Sequence, residues 1–265
     1  MTSLPFRANR LSAQNVSSRS EFDRTARTDG RPRRSQPLMR RYEAVHLLPN
    51  GDIGETQRLA PAIPAFETAF SAMARGTLLP TEKGMMAIED LLPGDRVRTV
   101  DAGFQTLLWR GSITVVPAVA GQQDAAGTLT RIAADALGIG RPMPDLLLGP
   151  GARLHHRAPV IHTVTGHDAA FVPARDFIDG VSVIEVTPQS PVQVFQLGFA
   201  GHHRITANGV EIDTMNPGGR METNLQGEML TLYLSLFPHV SGLGDFGPLA
   251  LPRLSLSDID LFNVA

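Results

Sequence analysis

The most informative stretch of this chain is Leu91-Leu92-Pro93-Gly94-Asp95-Arg96-Val97. Proline presets φ at the second position of a type II turn, and glycine tolerates the positive φ that the third position requires. The Asp95 carboxylate can then accept hydrogen bonds from the turn's own amides. After the turn, apolar and charged residues alternate as far as Thr99, which is the pattern of a half-buried strand. The stretch therefore predicts strands on both sides of a tight turn.

Further strands are predicted on either side of this turn. Residues 107–116 are apolar and β-branched around Trp109, the only tryptophan, for which we expect a role in core packing. Asn208-Gly209 lies between two strand-like segments, and this dipeptide supplies the positive φ angles of a hairpin turn. The other strand-like segments are residues 145–148, 181–186, 192–199, 204–207 and 210–212. We therefore expect residues 76–219 to form one β-rich domain.

Residues 42–75 predict a hairpin and a short helix that lead into the domain. The hairpin turns at Pro49-Asn50-Gly51-Asp52, which again contains Asn-Gly. Apolar residues then recur every three or four positions, as in an amphipathic helix that Gly76 would end. They are Phe66, Ala69, Phe70 and Met73. This pattern would place Ala72 in the last helical turn.

Two other segments have less decisive patterns. Residues 130–137 predict a brief helix with Gly138 as its C-terminal stop, where glycine adopts left-handed geometry at least cost. In residues 220–265 the apolar spacing fits helix and strand equally well. This final segment is therefore either a docking segment or a flexible tail.

Composition narrows the class of protein. With 265 residues, 42% of them hydrophobic, the chain can bury a substantial core. The absence of cysteine excludes disulfides, thiolate zinc sites and thiol catalysis. No apolar run reaches the roughly 18 residues of a membrane span, and no signal sequence is evident. We expect a soluble protein, cytoplasmic by default.

Charge is unevenly distributed along the chain. Residues 1–41 contain ten arginines against Glu21, Asp23 and Asp29, and they lack a convincing apolar helical face. This composition predicts a disordered basic arm. Such an arm can contact nucleic acid or a membrane surface.

Three motifs, taken in order, resemble those of the Hint (hedgehog/intein) domain of bacterial type. They are the Leu-x-Pro-Gly-Asp-x-Val motif that starts at Leu91, the strand Trp109-Arg110-Gly111, and the hairpin Ala207-Asn208-Gly209. The resemblance covers roughly residues 76–218. It implies an all-β fold, a horseshoe of curved antiparallel strands with short helices. It also implies the family's activity, which is cleavage of the protein's own backbone.

The resemblance further implies where the cleaving residues should lie. In this family a cysteine four residues before a Gly-Thr pair attacks the carbonyl just upstream, and a histidine in a Ser-Pro-Gln-His-Arg pattern protonates the departing nitrogen. Here Ala72 lies four residues before Gly76-Thr77. The second pattern reads Gly149-Pro150-Gly151-Ala152-Arg153, which puts Ala152 at the histidine position. Neither alanine can attack a carbonyl or donate a proton.

Several nearby residues could replace the missing groups. Ser71 is one residue upstream of the nucleophile position, and His155 and His156 follow Ala152 by three and four residues. His203 precedes the Ala-Asn-Gly hairpin, as a histidine does in the family, and is either a remnant of the site or a structural residue. Thr77, Thr81 and Asp95 match family positions. We expect these three side chains to satisfy backbone groups in turns.

The adjacent histidine pairs raise the possibility of zinc. Neighbouring residues on a strand point to opposite faces of the sheet, so the pairs His155/His156 and His202/His203 offer one ligand each at most. We therefore expect no metal and no cofactor.

Three functions are consistent with the sequence. The leading hypothesis is a degenerate Hint domain protein without efficient autoprocessing, which acts as a binding or structural module for a protein partner and not as an enzyme. The second is a self-cleaving Hint element that uses Ser71 and a nearby histidine. The third is a nucleic-acid-binding protein that acts through its basic arm, with an affinity that falls as salt is added. The C-terminal asparagine and downstream nucleophile of splicing elements are not recognisable, so splicing is not expected.

Overall fold

The computed structural model describes residues 38–219 and 223–263. Within these ranges the chain is all-β, with two antiparallel eight-stranded sheets and a few short helices. The strands are β1 (Met39–Leu47), β2 (Ile53–Pro61), β3 (Met73–Ala74), β4 (Leu78–Thr81), β5 (Gly84–Ala87), β6 (Arg96–Thr99), β7 (Gly103–Thr106), β8 (Trp109–Val115), β9 (Leu129–Ile132), β10 (Leu146–Leu148), β11 (Arg153–His156), β12 (Ala170–Pro173), β13 (Val183–Val186), β14 (Val192–Gly198), β15 (Arg204–Ala207) and β16 (Val210–Asp213). The helices are α1 (Pro64–Glu67), α2 (Pro159–Thr165), α3 (Gly227–Leu234) and α4 (Leu256–Asn263).

The first sheet has the strand order β13-β9-β10-β3-β14-β8-β1-β2. Its centre is the long pairing of β14 with β8, and the β1–β2 hairpin adds two strands to the free side of β8. The second sheet has the order β12-β11-β16-β15-β6-β4-β5, with β7 paired to β6. The β1–β2 hairpin thus extends the first sheet at the side of β8.

The predicted turns are confirmed. In the first turn Gly94 has φ +100°, the Asp95 N–H donates to the Leu92 carbonyl at 3.0 Å, and the Asp95 carboxylate accepts the Leu92 N–H at 2.9 Å. The hairpin at residues 49–52 joins β1 to β2, and Asn208-Gly209 joins β15 to β16. Each glycine lies in the positive-φ region that its turn requires.

One predicted helix is shorter than expected, and another is wrong. Helix α1 ends at Glu67, a 3-10 turn covers Thr68–Phe70, and Ser71 leaves the helical region with φ −128° and ψ 53°. Ala72 therefore lies in no helix, and the next residues form β3. The apolar spacing continued past the helix because Met73 is also buried, although in a different apolar core from Phe66 and Phe70. Likewise residues 129–132 form β9 and not a helix, because pairing with β10 and β13 overrides the local pattern.

Two apolar cores lie on opposite sides of the first sheet. One lies between the sheets and includes Phe195, Leu197 and Leu148. The other is aromatic and surrounds Trp109, which is fully buried and donates its Nε1–H to the Leu236 carbonyl at 3.0 Å. The predicted core role of Trp109 is confirmed.

Both flanks of the domain contribute to the aromatic core. Upstream it contains Tyr42, Phe66 and Phe70, and downstream Tyr233 and Phe237. The described residues after 223 are therefore packed against the rest of the chain.

The predicted basic arm lies mostly outside the described residues. Its last residues are an exception, because β1 already begins at Met39 and contains Arg40 and Arg41. Among the described helices none is long and apolar enough to cross a membrane.

Candidate functional site

The peptide bond between Ser71 and Ala72 is held on all sides by backbone hydrogen bonds. The Ala72 N–H donates to the Phe195 carbonyl at 3.0 Å, and the Ala72 carbonyl accepts from the Gly149 N–H at 2.9 Å. The Ser71 carbonyl accepts from the Gly151 N–H at 2.9 Å. Both residues are fully buried. The bond is an ordinary, well-satisfied amide at the start of a strand.

The loop of residues 149–152 lies directly against this bond because two of its residues are glycine. A Cβ at Gly149 would lie 2.2 Å from the Ser71 carbonyl oxygen, and one at Gly151 would lie 2.2 Å from the Thr68 carbonyl oxygen. No side chain fits at either position. This close approach brings the loop that carries Ala152, which is 2% exposed, against the backbone of residues 68–72.

The hydrogen bond from Gly151 bears on the cleavage that the sequence resemblance implies. The Gly151 N–H points at the carbonyl that would become an oxyanion, which is the geometry that stabilises a tetrahedral intermediate. At the two positions where the sequence resemblance predicts a nucleophile and a proton donor, the side chains are the methyl groups of Ala72 and Ala152.

Ser71 does not have the environment of an activated nucleophile. Its Oγ is buried and has no hydrogen-bond partner among the described residues. A serine hydroxyl is a weak nucleophile until a neighbouring base takes its proton. No such base contacts Ser71 in the described part of the chain.

The histidines after Ala152 have other partners. His155 Nδ1 lies 3.3 Å from Glu211 Oε2, and its Nε2 lies 3.2 Å from Arg204 Nη1. Burial lowers the pKa of His155; Glu211 opposes this effect, and nearby arginines add to it. The His156 ring packs edge-on against Phe177 at 5.4 Å, and burial lowers its pKa also. Both imidazoles therefore favour the neutral form.

His203 forms a close pair with a carboxylate. Its Nδ1 lies 2.7 Å from Asp101 Oδ2, and Asp101 Oδ1 accepts the Arg204 N–H at 2.8 Å. Burial raises the pKa of Asp101, but the bonds from His203 and Arg204 lower it further, so that it lies below its usual value. Among the described hydrogen bonds, none joins His155, His156 or His203 to Ser71 or Ala72.

The remaining predicted site residues satisfy turns. Thr77 Oγ1 donates to the Ala74 carbonyl at 2.7 Å, and Thr81 Oγ1 donates to the Gly84 carbonyl at 2.8 Å. Asp95 binds Lys83 Nζ at 2.7 Å in addition to its turn amide. Burial raises the pKa of Asp95, and these bonds more than offset the rise. The geometry of all three side chains is that of structural residues.

A buried charge cluster surrounds Asp213, and no motif in the sequence predicts it. This carboxylate is 1% exposed, and its Oδ2 lies 3.3 Å from Arg253 Nη2, 3.7 Å from His202 Nε2 and 3.8 Å from Arg153 Nη1. Burial raises the pKa of Asp213, but the cationic neighbours hold it below its usual value. These partners come from distant parts of the chain, so only the fold brings them together.

Metal ligation has no geometric support in the ranges that the structure covers. His202 Nδ1 accepts the Ala250 N–H at 3.0 Å, whereas the adjacent His203 turns toward Asp101. No three His, Cys, Asp or Glu side chains of these ranges lie close enough to share an ion.

A family model for the Hint domain matches residues 71–219, more than half of the chain. The chain belongs to the Hint domain family. The match begins at Ser71, at the bond just described, so the β1–β2 hairpin and α1 lie upstream of the Hint domain proper.

Two solved structures are similar to this chain. A bacterial intein-like domain from Clostridium thermocellum is 14% identical, with 55% of this chain and 98% of that chain covered and a TM-score of 0.37. A glutathione-linked, splice-inactive variant of the AceL NrdHF class 3 split intein is 13% identical, with 54% and 97% covered and the same TM-score, 0.37. No curated protein matches the chain.

Proposed function

We propose that this Hint domain protein keeps the family's fold without cleaving itself, and that it acts as a binding or structural module. The observation that carries the proposal is the state of the bond before Ala72. Its carbonyl and N–H are both engaged by backbone partners, and the side chains at the two cleaving positions are the buried methyl groups of Ala72 and Ala152.

Acyl transfer requires both a nucleophile and a general acid. Without a nucleophile no ester or thioester forms, and without a general acid the amide nitrogen is a poor leaving group at neutral pH. The Gly151 N–H can stabilise an oxyanion only after something has attacked the carbonyl. The Gly151 N–H alone therefore does not lead to cleavage of the bond.

The residues upstream of the bond supply a second argument. Tyr42, Phe66 and Phe70 are fully buried in the same aromatic core as Trp109 of the Hint domain. In addition, β1 pairs with β8 over residues 43–46. After a cut before Ala72, the upstream piece would not be released, because the residues on both sides of the cut belong to the same sheet and the same aromatic core.

Hydroxylamine tests the proposal directly, since it cleaves esters and leaves ordinary amides intact under mild neutral conditions. We expect no cut next to residue 71, either in the full-length protein or in a Ser71→Ala control. Fragments that end at Phe70 or Ser71 in the natural sequence, and are missing from the control, would refute the proposal. Fragment masses separate these from cuts at the two Asn-Gly pairs, which hydroxylamine also attacks.

The nucleic-acid alternative depends on the basic arm of residues 1–41, of which residues 1–37 lie outside the described residues. It stays a prediction, with the salt-dependent affinity already stated as its test.

A further inference from the structure

The outer edge of the first sheet is formed by β2, and among the described residues no strand pairs with its far side. It has nine residues, whereas β5, β12 and β13, at the other ends of the two sheets, have four each. Its pairing with β1 is uninterrupted from Ile53 to Pro61, so the edge contains no bulge, and its only proline is the last residue. Proteins usually protect a sheet edge by shortening it or by placing bulges and prolines in it. An edge as long and regular as this one can accept a further strand.

The backbone groups on the far side of β2 belong to its odd-numbered residues. At the two ends of the hairpin, the Leu48 N–H donates to the Asp52 carbonyl at 2.8 Å and the Ala62 N–H donates to the Leu38 carbonyl at 2.6 Å. Hydrogen-bonded and non-hydrogen-bonded pairs alternate along an antiparallel ladder, so the even-numbered residues of β2 bond to β1. The N–H and C=O groups that point away from β1 are therefore those of residues 53, 55, 57 and 59.

Two apolar side chains on this strand are exposed. Ile53 is 41% exposed and Leu59 is 65% exposed. Side chains alternate between the faces of a strand, so these two lie on the same face, with Glu55 and Gln57 between them. If β2 pairs antiparallel with a second copy of itself, centred on Thr56, then Ile53 of each copy lies opposite Leu59 of the other. That pairing would cover both exposed apolar side chains.

The side chains favour the register centred on Thr56 over its neighbours. This register places Glu55 opposite the uncharged Gln57, so no two like charges oppose each other. Centring the pair on Glu55 or on Arg58 would place that charged residue opposite its own copy, which is destabilising. Centring it on Gln57 would place Leu59 opposite Glu55 and leave the apolar side chains unpaired. The edge is thus complementary to a second copy of itself in one particular register.

We propose that two copies of this chain associate through β2, antiparallel and centred on Thr56. The outward N–H and C=O groups of residues 53 and 55 in each copy would bond to those of residues 59 and 57 in the other, which joins the two first sheets into one. Because both copies use the same edge, the contact is closed and does not continue into a fibre. The inference goes beyond the proposed function and does not depend on it, since β2 lies upstream of the Hint domain proper.

The absence of cysteine allows a site-specific cross-linking test on the full-length protein. In the proposed pair the two Cα atoms of residue 56 lie about 4.5 Å apart, as in other non-hydrogen-bonded pairs, which is within the range of a disulfide. The two Cα atoms of residue 57 would lie about 8 Å apart, beyond that range. With a mild oxidant we therefore expect Thr56→Cys to form a disulfide-linked dimer about ten-fold faster than Gln57→Cys.

The matched control makes this comparison decisive. Residue 57 is exposed and residue 56 is half-buried, so random collisions between molecules would favour Gln57→Cys. Equal rates for the two variants, a faster rate for Gln57→Cys, or no disulfide-linked dimer of Thr56→Cys would overturn the proposal.

A second variant pair tests the edge without a cross-link. Glu55→Pro removes an N–H that points away from β1, so it costs hydrogen bonds between the copies but none within the hairpin. Met85→Pro is the control: it lies on β5, at an edge of the second sheet, opposite Pro80, which has no N–H to pair with it. By sedimentation equilibrium we expect the natural protein and Met85→Pro to dimerise alike, and Glu55→Pro to dimerise at least about ten-fold more weakly. A natural protein that stays monomeric, or a Glu55→Pro variant that dimerises as strongly with an unaltered melting temperature, would contradict pairing through β2.

Discussion

At the scale of single residues, the surroundings of Ala72 and Ala152 suit methyl groups. Both belong to the apolar cluster between the sheets, together with Leu148 and Phe195, and are 0% and 2% exposed. Close-packed interiors have few voids larger than a water molecule. These two positions are where the resemblance predicts reactive groups. Their places are part of the hydrophobic core.

The variant Ala72→Cys tests this burial, because it introduces the only thiol of the protein. We expect the native variant to react very slowly with a thiol reagent and to react fully once denatured, and we expect it to stay intact with added reductant. Ile139→Cys, at an exposed position, is the control and should react at once. Rapid labelling of native Ala72→Cys, or cleavage before residue 72, would show that the position is still open to chemistry.

His239 predicts a pH dependence of stability. Both of its ring nitrogens are buried without a hydrogen-bond partner among the described residues. Burial, and then the charge of His46, lower its pKa to about 4. The unfolded chain takes up this proton near pH 6.5, so stability is full above that pH. It falls by roughly 3 kcal/mol as the pH drops toward about 4.

The variant His239→Phe should remove this part of the pH dependence. Urea unfolding between neutral pH and about pH 4 would then give a flatter curve of stability against pH than the natural protein gives. If His239→Phe had the same slope as the natural protein, the neutral buried imidazole would not be its source.

At the scale of elements, the loop of residues 149–152 and the segment 68–72 are packed backbone against backbone. Glycine is required at 149 because any side chain would meet the Ser71 carbonyl group. The contact fixes both the start of β3 and the position of residue 152. This contact requires glycine at position 149, and it involves no reactive side chain.

Gly149→Ala should therefore destabilise the protein by about 3 kcal/mol, because the new Cβ must displace backbone and not a flexible side chain. The control is Gly244→Ala, where a Cβ meets nothing within 4 Å. Chemical denaturation should show a large shift for the first variant and almost none for the second. A similar stability of the two variants would contradict the close contact.

Turn chemistry made much of the fold predictable, and burial made the rest difficult. Residues 92–95 and Asn208-Gly209 need positive φ, which is a local requirement visible in sequence. By contrast, Met73 and Ala74 form a strand only because β10 and β14 lie on either side of them. The same holds for Asp213, whose partners are up to 60 residues away in sequence. The spacing of apolar residues within a short segment does not reveal which distant segments will pair with it.

At the scale of the whole molecule, the Hint domain is embedded in its flanks. Phe70 from upstream contacts Trp109 of the domain with ring centroids 5.0 Å apart, and Phe237 from downstream contacts the same ring at 4.8 Å. An autoprocessing element must part from at least one neighbour. Here each neighbour supplies aromatic rings to one core, which favours a permanent, uncut chain.

The most direct test of this account is the intact mass of the purified full-length protein under denaturing conditions, which would separate any fragments that stay associated in the native state. After prolonged incubation at neutral pH with and without a thiol reductant, we expect one species at 28.5 kDa. A pair of fragments whose masses meet at residues 70–72, formed without added protease, would show that the chain still cuts itself.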